Sequence, residues 1–308
     1  MPTQDIDSNG ACVEQKQRLS KKGFGKLLWT ELAVVTIFLL ALGSPYNSRV
    51  VNMILFHPEK QLFVDRDALK IFKEKYGVTV SDQDFRSKDG TRLHGWYFKK
   101  PGAKRTFLIS HGNAGNLSHR YLIFMVLFEA DGSVFIYDYH GYGKSQGQPN
   151  DRNIVEDSVA AYDFMVKELK VKPDSIVLYG ESLGCAVSTA LMQSRPVQAV
   201  LLQSPFINLA RTAKDKIAWA KIYPDFMFEQ NHLDNLTPYK TKHPPLLLIH
   251  GDKDWILNPD YSKEIYKAAI QPKQLLLLEG KGHNDIYPEH AMKVVATINQ
   301  FLTSKKSD

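Results

Sequence analysis

Residues 175–194, SIVLYGESLGCAVSTALMQS, carry the clearest indication of the fold of this chain. Its apolar residues 176–179 predict a short buried strand, and the small and apolar residues after the turn predict a helix. Between them lies GESLG (180–184), a match to G-x-S-x-G, which is typical of a sharp turn that exposes a nucleophilic serine. The glycines keep side chains out of the turn, and the helix that follows brings N–H groups and a positive dipole end to Ser182.

A second match, GKSQG (143–147), contains Ser145. The strand predicted before it ends near Asp138, and a loop rich in glycine and proline follows in place of a helix. We therefore expect Ser145 to belong to a loop. The same stretch resembles the end of a phosphate-binding loop, but G-x-x-x-x-G-K-S requires glycine where Asp138 stands, so no nucleotide is expected.

Short apolar runs that end in glycine-rich turns alternate with helical patterns through the rest of the chain. This alternation predicts an α/β fold with a mostly parallel sheet and helices on both faces. In such sheets ligands bind beyond the carboxyl ends of the strands, where all the motifs of interest fall. A hairpin is expected around Asp89-Gly90, and the later runs are residues 106–112, 133–141, 175–182, 199–205, 245–252 and 274–283.

A serine nucleophile needs a base, an orienting acid and an oxyanion hole, and in this architecture the chain order is serine, acid, histidine. His283, in GKGHND just after the last predicted strand, fits the base. For the acid, IHGDKD offers Asp252 and Asp254, which both follow the strand that ends at His250. One of them orients the imidazole and the other serves the turn. The residues themselves do not separate the two.

The oxyanion hole needs two N–H donors. One is expected from Leu183, next to the nucleophile. The other is expected from the loop HGNAGN (111–116), whose small residues follow a predicted strand and allow close backbone approach to a substrate.

Composition excludes several classes of function. The 308 residues are 44% hydrophobic and 23% charged, which is typical of a globular protein. A net charge of +6 without a basic stripe interleaved with aromatic residues argues against nucleic-acid binding. The two cysteines, Cys12 and Cys185, form no CxxC or metal-ligand spacing, so neither a disulfide framework nor a metal site is predicted.

The N-terminal region reads as a membrane anchor. Residues 1–26 form a polar tail with basic residues towards its end, and residues 27–43, LLWTELAVVTIFLLALG, approach the minimum length for crossing a bilayer. A cleaved signal peptide and a buried helix are alternatives, since residues 41–43 loosely resemble a cleavage site. The long polar segment favours an uncleaved anchor. Positive charges before it predict a cytoplasmic N-terminus and a catalytic domain on the extracytoplasmic side.

Residues 206–243 lie between two predicted strands and read as a small helical lid. Four aromatic residues of this insert either line an acyl pocket or form core, and core is the commoner role: Trp219, Tyr223, Phe226 and Phe228.

Five motifs together, GESLG, HGNAGN, DYHGYGKSQG, IHGDKD and GKGHND, resemble the α/β-hydrolase superfamily over residues 50–303. More narrowly they resemble its membrane-associated serine hydrolases, related to the bud-emergence proteins and the depalmitoylase-type α/β-hydrolase-domain proteins. The resemblance implies that DYHGYGKSQG is a structural turn, and its H-G-x-x-D pattern favours Asp254 over Asp252 as the acid. The implied site comprises the nucleophile Ser182, the base His283, the acid Asp254, and the oxyanion donors Asn113 and Leu183.

The expected protein is therefore a membrane-anchored serine hydrolase that needs no cofactor. It cleaves carboxylic ester or thioester bonds of lipid-like or protein-bound acyl groups through an acyl-enzyme. A serine peptidase of the same fold is one alternative. A non-catalytic binding protein is another, and the loss of a triad residue would favour it; Ser182, Asp254 and His283 are all present.

Overall fold

The computed structural model describes residues 48–228, 233–287 and 289–304. Two compact units divide the chain, residues 1–51 and 52–308, and the sheet lies in the second. The predicted basic tail (1–26) and membrane anchor (27–43) lie outside the described residues and stay predictions. Within the part of the chain that is described, no helix has the length and apolar character to span a bilayer.

The described strands are β1 His57–Pro58, β2 Thr79–Arg86, β3 Arg92–Lys99, β4 Arg105–Ser110, β5 Ala114–Gly115, β6 Gly132–Tyr137, β7 Ile176–Glu181, β8 Ala199–Gln203, β9 Leu246–Gly251 and β10 Lys273–Leu278. Eight of them form the main sheet, in the order β10-β9-β8-β7-β4-β6-β3-β2. Strands β10 to β6 in this order run parallel, and β3 and β2 complete the sheet as an antiparallel hairpin. A separate short parallel pair joins β1 to β5.

Helices cover both faces of this sheet. The described helices are α1 Ser48–Leu55, α2 Arg66–Tyr76, α3 Tyr121–Glu129, α4 Asn153–Lys167, α5 Leu183–Met192, α6 Leu209–Lys216, α7 Asp260–Ala268 and α8 Ala291–Thr303. One apolar core lies between the sheet and α4, α5 and α7, and a second lies between the opposite face and α2, α3 and α8. This arrangement confirms the predicted α/β-hydrolase fold, with a mostly parallel sheet and helices on both faces.

Burial explains why the inner strands read as continuous apolar runs. Every residue of β4, β6, β8 and β9 is buried, because helices cover both sides of these strands. At the sheet edge, by contrast, most residues of β2 are exposed. The parallel strands all point the same way, so the loops after β4, β7, β9 and β10 meet at one edge of the sheet.

Ser145 belongs to the packing of the turn after β6, as predicted. It is 2% exposed, and its Oγ donates to the Asp138 carbonyl at 2.7 Å and accepts the His94 N–H at 2.9 Å. The Asp138 carboxylate in turn accepts the N–H of Leu117 at 2.8 Å, just beyond the HGNAGN loop. Gly143 makes room for that carboxylate, since a Cβ there would lie 2.0 Å from Asp138 Oδ2.

In its described residues, 206–228 and 233–243, the insert contains α6 followed by short 3₁₀ turns, as expected. Tyr223 and Phe228 are buried with Ala220 in a small core that belongs to the insert itself. Trp219 packs edge-on against Tyr223 and remains 46% exposed. The core interpretation is therefore correct for Tyr223 and Phe228 and wrong for Trp219, while the side chain of Phe226 lies outside the described part. The role of the insert as a lid stays a prediction.

Candidate active site

Ser182 occupies a strained turn between β7 and α5. Its backbone has φ 53° and ψ −111°, a conformation that residues other than glycine rarely adopt. The Ser182 N–H donates to the Gln203 carbonyl at 2.9 Å, which fixes the turn against β8. The neighbouring glycines have no space for a side chain: a Cβ at Gly180 would lie 2.6 Å from Gly184 O, and one at Gly184 would lie 1.8 Å from Ser110 O. This is the nucleophile-elbow geometry that G-x-S-x-G predicts.

Two unpaired N–H groups lie at this edge of the sheet. Leu183 is the first residue of α5, so its N–H has no acceptor within the helix. Asn113 follows β4, and its carbonyl accepts the Tyr142 hydroxyl at 2.7 Å and the His57 N–H at 2.9 Å. Among the described residues, neither the Asn113 nor the Leu183 N–H has a protein acceptor. The close approach of Gly184 to β4 brings the start of α5 beside the loop that carries Asn113.

His283 and Asp254 form a direct hydrogen bond. His283 lies in the loop after β10, and its Nδ1 is 2.6 Å from Asp254 Oδ2. Asp254 lies in the turn after β9 and is buried. Its other oxygen accepts the backbone N–H groups of Ile256 at 2.9 Å and Leu257 at 2.8 Å, so the carboxylate is held from two sides. The structure thus brings the predicted acid and base together across the loops of two neighbouring strands.

The surroundings of Asp254 keep it ionised. Burial by itself raises the pKa of this carboxyl group, but hydrogen bonds from His250, His283 and the Leu257 N–H outweigh burial and hold the pKa well below its usual range. His250, Nε2 of which lies 3.1 Å from Asp254 Oδ2, is itself held by Ser262 at 2.7 Å. A carboxylate in this state accepts the Nδ1–H of His283 and leaves Nε2 of that imidazole as the basic nitrogen.

Asp252 has a different task. Its Oδ1 accepts the Gly280 N–H at 2.7 Å and so ties the turn after β9 to the turn after β10. The structure therefore separates the two aspartates that the sequence left open, because only Asp254 contacts His283. In the described part of the chain, no hydrogen bond joins His283 to Ser182. Such catalytic contacts are often long without substrate and tighten on binding.

A cavity of about 370 Å³ adjoins three of the motifs, HGNAGN, GESLG and GKGHND. Its lining includes Ala114, which follows Asn113, Glu181, which precedes Ser182, and Asn284, which follows His283. Arg120 and His119 also line this cavity. Sequence reasoning did not single out Arg120 or Glu181. For Glu181 the available signal was its charge inside G-x-S-x-G, and for Arg120 the sequence offered none.

The fold and this edge of the sheet define an α/β hydrolase. The model of the prolyl oligopeptidase family, Peptidase_S9, matches residues 122–307, and the chain belongs to that family. The uncharacterized protein YfhR of Escherichia coli K12 is 32% identical over 267 residues, which cover 80% of this chain and 92% of YfhR. The human alpha/beta hydrolase domain-containing protein 17B is 28% identical over 223 residues, 71% of this chain and 75% of the human protein.

Solved structures share the fold at low sequence identity. The Pyrococcus furiosus esterase Pf2001 superposes with a TM-score of 0.65 at 17% identity, over 81% of this chain and 98% of the esterase. The esterase domain of a Rhodothermus marinus protein gives a TM-score of 0.57 at 21% identity, over 72% of this chain and 97% of that domain. These similarities, together with the family match, establish a hydrolase of the α/β-hydrolase superfamily.

Proposed function

We propose that this protein is a serine hydrolase that cleaves carboxylic ester or thioester bonds of acyl substrates. The observation that carries the proposal is the 2.6 Å hydrogen bond between His283 Nδ1 and Asp254 Oδ2, at the sheet edge that holds the strained Ser182 turn. A buried, ionised carboxylate fixes the imidazole tautomer in which Nε2 accepts a proton, as a serine nucleophile requires.

In the proposed reaction, Ser182 Oγ attacks the acyl carbonyl carbon while His283 Nε2 takes the hydroxyl proton. The carbonyl oxygen becomes an oxyanion, which accepts hydrogen bonds from the Asn113 and Leu183 N–H groups. The tetrahedral intermediate then collapses, and His283 returns the proton to the departing alkoxide or thiolate. Water attacks the acyl-Ser182 ester in the second half by the same path, which releases the carboxylic acid and restores the serine.

The first prediction concerns the nucleophile. Ser182→Ala removes the attacking oxygen, so we expect it to abolish labelling by a fluorophosphonate probe and to reduce ester hydrolysis to background. Ser145→Ala is the matched control, because it removes the serine of the other G-x-S-x-G match; labelling and hydrolysis should persist. Loss of labelling in a folded Ser145 variant, with Ser182→Ala still labelled, would reverse the assignment.

The second prediction concerns the acid. Asp254→Asn keeps the size of the side chain but favours the wrong imidazole tautomer, and the same change costs about 10⁴ in kcat in the well-studied serine proteases. We expect kcat of the Asp254→Asn variant to fall by several orders of magnitude. Asp252→Asn keeps an oxygen that accepts the Gly280 N–H, so its kcat should stay close to that of the parent. Steady-state kinetics of the two variants decide the point, and the opposite ranking would move the acid to Asp252.

A serine peptidase is the second candidate function, because the matching family model is that of the prolyl oligopeptidase family. The ester and thioester assignment is supported by the resemblance of the five motifs and by the fold shared with the esterase Pf2001. Two kinds of leaving group separate the candidates: the thiolate or alkoxide of an acyl ester, and the amine of a peptide.

The third prediction therefore compares kcat/KM for an acyl thioester and a 4-nitrophenyl acyl ester with kcat/KM for an acyl-prolyl 4-nitroanilide. We expect turnover of the ester and the thioester that depends on Ser182, and no Ser182-dependent cleavage of the anilide. Cleavage of the anilide with a kcat/KM comparable to that of the thioester would establish the peptidase and refute our proposal.

A further inference from the structure

Glu181, the variable residue of GESLG, reaches across to the HGNAGN loop. Its Oε2 accepts the Gly112 N–H at 3.1 Å and the Arg120 Nε–H at 2.8 Å. Burial by itself raises the pKa of the Glu181 carboxyl group. The charge and hydrogen bond of Arg120 and the hydrogen bond from the Gly112 N–H outweigh burial and lower the pKa, so Glu181 is ionised. The residue directly before Ser182 thus holds the residue directly before Asn113.

Arg120 also binds the backbone of this loop directly. Its Nη2 donates to the Ala114 carbonyl at 3.0 Å, and its Nη1 donates to the Asn116 carbonyl at 3.3 Å. The Arg120 and Glu181 side chains are only 10% and 19% exposed, so this is not an ordinary surface ion pair. A planar guanidinium spans three acceptors in fixed geometry, which a lysine ammonium does not reproduce.

The peptide unit that bears the Asn113 N–H lies next to these contacts. The Asn113 N–H belongs to the peptide that joins Gly112 to Asn113. The carbonyl of that peptide is 2.7 Å from His111 Nδ1, and Glu181 holds the N–H of Gly112 on its preceding side. A glycine at position 112 has an otherwise permissive backbone, so these hydrogen bonds restrict a segment that would sample other conformations.

We propose that the Glu181–Arg120 pair positions the HGNAGN loop so that the Asn113 N–H is preorganised as an oxyanion donor. This inference rests on the proposed function. Glu181 and Arg120 are positioning residues, because they act through the loop backbone. An oxyanion donor is effective only within about 2.7–3.1 Å of the developing charge, so a small displacement of the loop is costly.

The pair predicts a specific kinetic signature. Complete loss of one oxyanion donor costs about 10²–10³ in kcat. We expect Glu181→Ala to lower kcat towards the bottom of that range, about 10²-fold, with KM changed less than about threefold, since the donor acts mainly in the transition state. Glu181→Gln keeps an acceptor for Gly112 and should lose less. Arg120→Lys keeps the charge but not the fork, and its kcat should also fall.

Arg195→Lys is the matched control. Arg195 forms a two-bond fork with Asp163, at 2.7 and 2.9 Å, and takes no part in the HGNAGN loop. The Arg195→Lys variant carries the same chemical change as Arg120→Lys, and the kcat of this variant should stay within about twofold of the parent. A second readout is the affinity of an alkyl boronic acid, whose tetrahedral adduct mimics the oxyanion; this affinity should fall in parallel with kcat in the Glu181 and Arg120 variants only.

Several results would overturn the inference. A folded Glu181→Ala variant with parental kcat and boronate affinity would do so, as would a raised KM at unchanged kcat, which indicates substrate binding instead. If Glu181→Ala does not fold, parental kcat in Arg120→Lys refutes the role of the pair. Fluorophosphonate labelling of Ser182 in the parent enzyme distinguishes the two hypotheses. If the parent enzyme is not labelled, the proposed function fails. If it is labelled, the kinetic results above test only the positioning role.

Discussion

The packing of the start of α5 against the end of β4 is the constraint on which the site depends. The Gly184 Cα lies so close to the Ser110 carbonyl that even a methyl group has no room. This approach sets the free N–H of Leu183 beside the loop that carries Asn113, next to the strained backbone of Ser182. Hydrogen bonds from Ser182 N–H to Gln203 O and from Cys185 N–H to Ser182 O hold the turn.

A second constraint is electrostatic. Asp254, Glu181 and Asp138 are partly or fully buried carboxylates at the same edge of the sheet. Hydrogen bonds from backbone N–H groups and basic side chains hold the pKa of Asp254 and Glu181 low, and the Leu117 N–H with the nearby His111 and His94 rings does the same for Asp138. Such groups are costly to bury unless fully paired. Asp254 holds the loop that bears His283, whereas Glu181 and Asp138 hold the two ends of the loop that bears Asn113, at Gly112 and Leu117. These carboxylates thus hold the loops that carry the site residues.

Most of the fold was predictable, because parallel strands covered on both faces must be apolar along their whole length and must end in turns at one edge. The strand-to-helix context also separated Ser182 from Ser145. The choice between Asp252 and Asp254 was not available from the residues, since both lie in one turn and only the packing of the β10 loop decides which one His283 meets. The contact between Arg120 and Glu181 joins residues that lie far apart in sequence, and Trp219 is exposed while the insert packs on its own small core. Both features depend on tertiary contacts that no local pattern encodes.

A crystal structure of the protein after reaction with an alkyl fluorophosphonate would test the proposed site directly. We expect phosphorus bonded to Ser182 Oγ, with the phosphoryl oxygen about 2.7–3.1 Å from the backbone nitrogens of both Asn113 and Leu183, and His283 still bound to Asp254. Phosphorus on another residue, or a phosphoryl oxygen directed away from these two amides, would contradict it.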